Sequence, residues 1–308
     1  MKVEKLQENI RPSPDSTVTV KKMGNITELR FMQRKTGGII QKLDKDSYVD
    51  TRTGEVKDFT HSDIRIANLE NISRSLRNLR DIINTNVTDV KKCLWVTLTY
   101  AENMTDSIRL YNDYRKFNMR FQRFLKNNNL SQAEYIAAAE PQGRGAWHLH
   151  IIFIFFQNSP FIENSTLSAL WGQGFVSISS LKNIDNVGVY LSAYLSDMDV
   201  LKAIETVDFE NKNIKIVTAD GKSGNRREKA IIKGLRLRLY PTGFRIYRLS
   251  RGIKMPEVHE TTEAEAMQEI KGDALTYEKT VQLSDDGKII NQINYRHYNN
   301  LKKEGTEP

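Results

Sequence analysis

His148-Leu149-His150 is the sharpest chemical signal in the chain. Side chains two apart on a β-strand point to the same side, so both imidazoles can meet one cation while Leu149 faces the opposite way. The apolar run that follows, Ile151 to Phe156, reads as a well-buried and therefore rigid strand. Glu140 ends the strand before a short glycine-rich turn, so a hairpin brings its carboxylate beside the imidazoles. Two ring nitrogens and one carboxylate oxygen leave positions open on an ion, as catalysis requires. Downstream, Tyr190 and Tyr194 are four residues apart and share one face of a helix. Taken singly, each feature has a plain alternative: strand histidines serve structural ends, a carboxylate next to a turn is solvated, and paired helical tyrosines pack a core edge. Together they fit one reaction. A phenol with a pKa of about 10 is a poor nucleophile at neutral pH, but it becomes competent against a phosphodiester polarised by a cation that also stabilises the developing charge.

The elements that must hold these residues follow from periodicity. From Ser62 to about Asn84 the residues Leu69, Ile72, Leu76, Leu79 and Ile83 recur every three or four positions, which predicts a helix with Arg74, Arg77 and Arg80 on another face. Trp95, Thr97 and Thr99 alternate with Leu94, Val96 and Leu98 in a strand over 93–100. A helix over about 106–126 carries the stripe Leu110, Tyr114, Phe117, Phe121 and Leu125. Then come a strand over Glu134 to Glu140, the turn Gln142-Gly143-Arg144-Gly145, a strand over Trp147 to Phe156, a short helix ending near Trp171 and a strand over Gly174 to Ser179. Asp185 is placed to cap a helix running to about Asp197. The order strand, helix, strand, strand, helix, strand is the ferredoxin-like or RRM-like antiparallel α+β plan, with helices on one or both faces. Leu235, Leu237 and Leu239 alternate with Arg236 and Arg238 and turn at Pro241-Thr242-Gly243, predicting a further hairpin with arginines outside.

Composition narrows the classes. The 308 residues, 39% of them hydrophobic, suffice for a substantial core. The start Met1-Lys2-Val3-Glu4 has no apolar signal region, and Ile151 to Phe156 is far too short to span a bilayer, so a cytoplasmic protein with no membrane partner is expected. The lone Cys93 excludes an internal disulfide and a cysteine-rich metal site, leaving histidine and carboxylate as ligands. A net charge of +8 favours an acidic polymer as partner. Gly221-Lys222-Ser223 is not an ATP-binding loop, since Ile216 stands where such a loop has glycine.

Trp95-Val-Thr-Leu-Thr-Tyr100, Gly145-Ala-Trp-His-Leu-His150 and Val189-Tyr-Leu-Ser-Ala-Tyr194 resemble, in order, the three motifs of the HUH endonuclease superfamily. They are similar in particular to rolling-circle replication initiators of plasmids and single-stranded DNA phages of the Gram-positive, two-tyrosine type. The flanking pieces Arg236-Leu-Arg-Leu-Tyr-Pro241 and Asn71-Ile-Ser-Arg-Ser-Leu76 share that likeness. The resemblance implies that His148 and His150, with Glu140, bind Mg2+ or Mn2+. It implies that Thr97 and Thr99 lie on a strand beneath the site, and that Tyr190 or Tyr194 attacks the origin strand to give a 5′-phosphotyrosine and a 3′-OH. The implied partners are single-stranded and double-stranded origin DNA, a host helicase and a host DNA polymerase. Such relatives often carry a lysine near the second tyrosine; Ala193 and Asp197 stand there instead, so Arg144, Lys182 or Lys202 must supply the cation.

The implied organisation is an N-terminal part, 1–90, of hairpins and a basic helix, an endonuclease domain over 91–250, and a polar, partly flexible appendage over 251–308. Candidate DNA contacts are Arg144, Lys182, Thr97, Thr99, Arg74, Arg77, Arg236 and Arg238, although each basic stretch alone also reads as a solvated face. A relaxase or transposase of the same superfamily, or an origin-binding regulator without catalysis, are the rivals. Tyrosines that follow a two-histidine motif favour replication.

Overall fold

The computed structural model describes residues 2–34, 40–43, 47–50, 55–58, 69–182, 184, 186–199, 214–220, 226–232, 235–241, 243–285 and 287–303. In chain order these form β1 (Lys2–Lys5), β2 (Thr17–Met23), β3 (Ile26–Met32), β4 (Ile40–Lys42), β5 (Ser47–Asp50), β6 (Val56–Asp58), α1 (Leu69–Asn86), β7 (Cys93–Tyr100), α2 (Ser107–Asn127), β8 (Ala133–Pro141), β9 (Trp147–Phe155), α3 (Asn164–Trp171), β10 (Gly174–Ser179) and α4 (Val187–Ser196). They continue with β11 (Met198–Asp199), β12 (Ile214–Asp220), β13 (Arg226–Ile232), β14 (Tyr247–Leu249), β15 (Glu257–Thr262), α5 (Glu263–Glu269), β16 (Asp273–Asp285) and β17 (Lys288–Lys303). Two compact units result: residues 63–255 form one, and residues 1–62 with 256–308 form the other. The sequence reading cut the chain at 90/91 and 250/251 instead.

Residues 63–255 are built on a five-stranded antiparallel sheet in the order β10-β7-β9-β8-β14. Its first four strands have the ferredoxin-like arrangement, as the α+β reading expected. The parity of β9 sorts the faces. Leu149, Ile151 and Phe153 point one way, where Phe117 and Phe121 of α2 pack on Phe153 and Trp171 of α3 packs on Phe117. Burying each such ring contributes roughly 1.5–3 kcal/mol. His148, His150 and Ile152 point the other way, toward α4, and α4 rests on α1 through the Gly188 N–H, which donates to Asn84 Oδ1 at 3.1 Å. Among the described residues no helix is long and apolar enough to cross a membrane.

Three expectations need correction. Leu235–Leu239 is a 3-10 turn and not a strand, and only Tyr247–Leu249 joins the sheet, beside β8. In such a turn side chains three apart coincide, and Leu237 and Tyr240 are both buried. The α4 cap is Asn186, whose side chain accepts from the Val189 N–H; Asp185 lies outside the described residues. The C-terminal stretch is no peripheral appendage. β16 and β17 form a long hairpin inside the six-stranded sheet β1-β16-β17-β3-β2-β15. Its polar composition conceals this, because several of its buried side chains satisfy one another. Asn294 donates to Glu278 and Thr280, and the buried Arg296 makes a two-pronged pair with Glu263 of α5.

Candidate active site

Strand register assembles the site. His148 stands directly opposite Thr99 on one side and Glu140 on the other, and His150 stands opposite Thr97 and Ala138. All of these Cβ atoms share one face, because directly paired residues of an antiparallel sheet point the same way. The β8–β9 turn that sets this register closes with the Gln142 N–H donating to the Ala146 carbonyl, and Gly145 takes the left-handed φ of 85° that the turn needs. The hairpin inferred from the glycine-rich turn is therefore present, and it puts Glu140 beside the histidines.

Every nitrogen of the His pair described by a contact has a defined partner. The Thr97 hydroxyl lies 3.1 Å from His150 Nδ1, and the Gln142 side-chain amide donates to His148 Nδ1 at 2.9 Å. Both contacts orient a ring, as outer groups do around metal-binding histidines. His150 Nε2 meets the Glu140 Oε2 directly. Burial holds the His148 imidazole down to about pKa 4, opposed by the Glu140 charge and aided by those of His150, Arg144 and Arg236, so at neutral pH it keeps an unprotonated nitrogen. Burial pushes the Glu140 carboxyl up, but the His150 hydrogen bond and the charges of His150, Arg236 and His148 more than offset this and hold it below the usual carboxylate range.

The second oxygen of Glu140 belongs to Arg236. Arg236 Nη1 is 2.6 Å from Glu140 Oε1 and donates to the Pro141 carbonyl at 2.9 Å, while its Nε donates to the Asp197 carbonyl at the end of α4 at 3.2 Å. One helical turn on, the Tyr240 hydroxyl lies 2.8 Å from the Ala139 carbonyl and 3.3 Å from that of Leu195. The 235–240 segment thus spans from the strand of the acid to the last turn of the tyrosine helix.

Tyr190 and Tyr194 extend from α4 over the same sheet face. Each ring meets Trp95 edge to face, with centroids 5.6 and 5.7 Å away, and the two hydroxyls are 3.3 Å apart. The Tyr194 and His150 ring centroids are 6.0 Å apart. Both phenols stay exposed, at 39% and 44%, although Trp95 and His150 beneath them are buried. Asn84 at the start of α4 and Arg236 and Tyr240 at its end fix where the phenols stand.

The donor set of His148, His150 and Glu140 fits a divalent ion in kind, with two imidazoles and one carboxylate on one face. Among the described residues no three such groups already stand in metal-binding geometry, because Glu140 and His150 hold each other. An ion entering there must replace that contact and release the shared proton.

The other expected residues are spread out. Thr97 and Thr99 are half-buried in the sheet floor, and Arg144 is exposed in the β8–β9 turn with its charge felt at His148. Lys182 is exposed just beyond β10, and Arg74 and Arg77 are exposed on α1. Arg236 is buried rather than on an outer face. Arg238 falls in the 3-10 turn, with its side chain outside the described residues, as is Lys202. Sequence reasoning gave no role to Gln142, Trp95 or Tyr240. The signal for Trp95 was in its period, since it shares parity with Thr97 and Thr99; Gln142 and Tyr240 have none.

Comparison with known proteins agrees with this geometry in one segment. No curated protein and no solved structure matches the chain. Residues 93–199, which run from β7 to the end of β11 and include both histidines, Glu140 and both tyrosines, match a family of replication-associated proteins, the ORF2 family, and this supports a replication-initiator role.

Proposed function

We propose that this chain is a rolling-circle replication initiator of the two-tyrosine HUH type, which nicks single-stranded origin DNA and rejoins it through a 5′-phosphotyrosine. One observation carries the reading: two exposed phenols are seated on Trp95 over the sheet face that bears the histidine pair. His148, His150 and Glu140 are the residues that would hold Mg2+ or Mn2+, which when bound supplies Lewis-acid polarisation of the phosphate.

The phenol oxygen of Tyr190 or Tyr194 attacks phosphorus. The new tyrosine O–P bond forms, the bond to the 3′ oxygen breaks, and that oxygen takes up a proton and leaves as a free 3′-OH that primes a host polymerase. The phenol proton passes to solvent, which both hydroxyls reach. Once a host helicase and polymerase have carried the fork round the duplex, the second phenol repeats the attack on the regenerated junction, and the freed 3′-OH displaces the first tyrosine to close the circle. Arg144, exposed at the turn beside His148, takes the place of the lysine that relatives carry near the second tyrosine.

The test uses labelled single-stranded fragments tiled across the replicon that carries the gene, incubated with the protein and Mn2+ and run on a denaturing gel. A covalent adduct is expected with the wild type and none with the Tyr190→Phe, Tyr194→Phe double variant. A protein that retards a fragment in a native gel yet forms no adduct is a binding regulator, and the proposal fails.

A further inference from the structure

Phe175 is an exposed phenylalanine, 69% accessible, on the edge strand β10. A ring of this size left in water is unusual enough to ask what covers it. Register answers where it stands: Phe175 pairs with Thr99, Thr99 with His148, and His148 with Glu140. These residues form one cross-strand row on one face, running from the acid to the open edge of the sheet. With strands about 4.8 Å apart, Phe175 lies about 10 Å from His148. The tyrosine rings sit over Trp95, whose row contains Ser179 and Ile152, two rows away. Among the described residues no ring or cation contact involves Phe175. The neighbours along β10 on this face are small, Ser177 and Ser179, and Arg144 is exposed in the turn just past His148.

We infer that Phe175 is a stacking platform for a base of the DNA strand next to the attacked phosphate. The inference rests on the functional reading above and adds the path of the substrate: across the floor from the histidines, over Thr99, and off the sheet at β10. The chemistry fits single-stranded DNA, which is held without sequence readout by aromatic faces under its bases and cations beside its phosphates. The unpaired edge gives the strand an exit that a central strand would deny.

The test measures binding of a short fluorescein-labelled oligothymidylate to the full chain by anisotropy, in EDTA so that nothing is cleaved. Phe175→Ala is expected to weaken binding about 5- to 100-fold, the effect of losing one stacked base. Phe175→Trp restores it and has indole emission quenched by the oligonucleotide. Phe161→Ala, which removes a ring 90% exposed but outside the row, leaves affinity unchanged. In Mn2+, Phe175→Ala forms adduct at the wild-type rate once DNA is saturating. Wild-type affinity in Phe175→Ala, or equal losses in both alanine variants, overturns the assignment while leaving the adduct chemistry intact. So does a change in sedimenting mass without a change in DNA affinity, which would make the ring a protein interface. A wild-type chain that forms no adduct overturns the functional reading, and this assignment with it.

Discussion

Arg236 stands 2.6 Å from Glu140, and both are buried. The guanidinium neutralises the acid and, through the carbonyls of Pro141 and Asp197, joins the strand of the acid to the end of the tyrosine helix. A buried ion pair is weak evidence for stability as a pair, but removing one partner strands a charge.

Replacing Arg236 by Met should therefore destabilise the protein by about 3–5 kcal/mol, read from urea melts at neutral pH. Arg236→Lys keeps the charge but loses the fork, and should retain stability in part while slowing adduct formation at saturating DNA. Equal melting midpoints for wild type and Arg236→Met would show that the pair is not holding these elements.

Gly188 has no room for a side chain. A Cβ there would lie 2.4 Å from the Arg80 carbonyl oxygen and 2.6 Å from Asn84 Oδ1. Gly188→Ala should push α4 off α1, lowering both the melting temperature and the adduct rate, by about 1–3 kcal/mol of stability. Gly243→Ala is a comparison with open space around it but a left-handed φ of 69°, so its loss comes from backbone strain and should spare the adduct rate.

His148 gives the pH dependence. Its folded pKa of about 4 lies below the ordinary 6.5, so between these values the unfolded chain binds more protons than the folded one. Stability is then full above about pH 6.5 and falls as pH drops toward 4, by about 3 kcal/mol in all. His148→Gln should flatten that part of the stability profile; an unchanged slope would place the titration elsewhere.

Cys93 should be inert. Burial, with a smaller contribution from the Asp89 charge, pushes its thiol up to about 12. Native protein at pH 8 should react with a thiol reagent orders of magnitude more slowly than unfolded protein does. Rapid labelling without denaturant would contradict the burial.

The sheet that carries the chemistry was legible because each of its strands bears a period-two signal and its hairpin a glycine-rich turn. The histidines, Glu140 and the tyrosine pair could be placed on elements from spacing alone. Arg236 could not: in a run of alternating leucine and arginine a buried cation and a solvated one look alike, and only the position of Glu140 in space distinguishes them. The same blindness hid the C-terminal strands, where Thr280, Asn294 and Arg296 are interior residues whose partners are remote in sequence. Phe175 was invisible for the opposite reason, since an apolar residue in a strand suggests a core position until register puts it at an edge.

The unit made from both chain ends bears on how the polypeptide comes off the ribosome. β17 lies between β16 and β3, and β15 closes the sheet beside β2. The β2–β3 hairpin is thus synthesised early and waits, both flanks unpaired, while nearly the whole chain is translated, and residues 63–255 are complete before it finds its neighbours. A message cut short before codon 256 would yield a nicking core with an adhesive hairpin attached, so host chaperones are needed most at the first sixty residues and not at the catalytic ones.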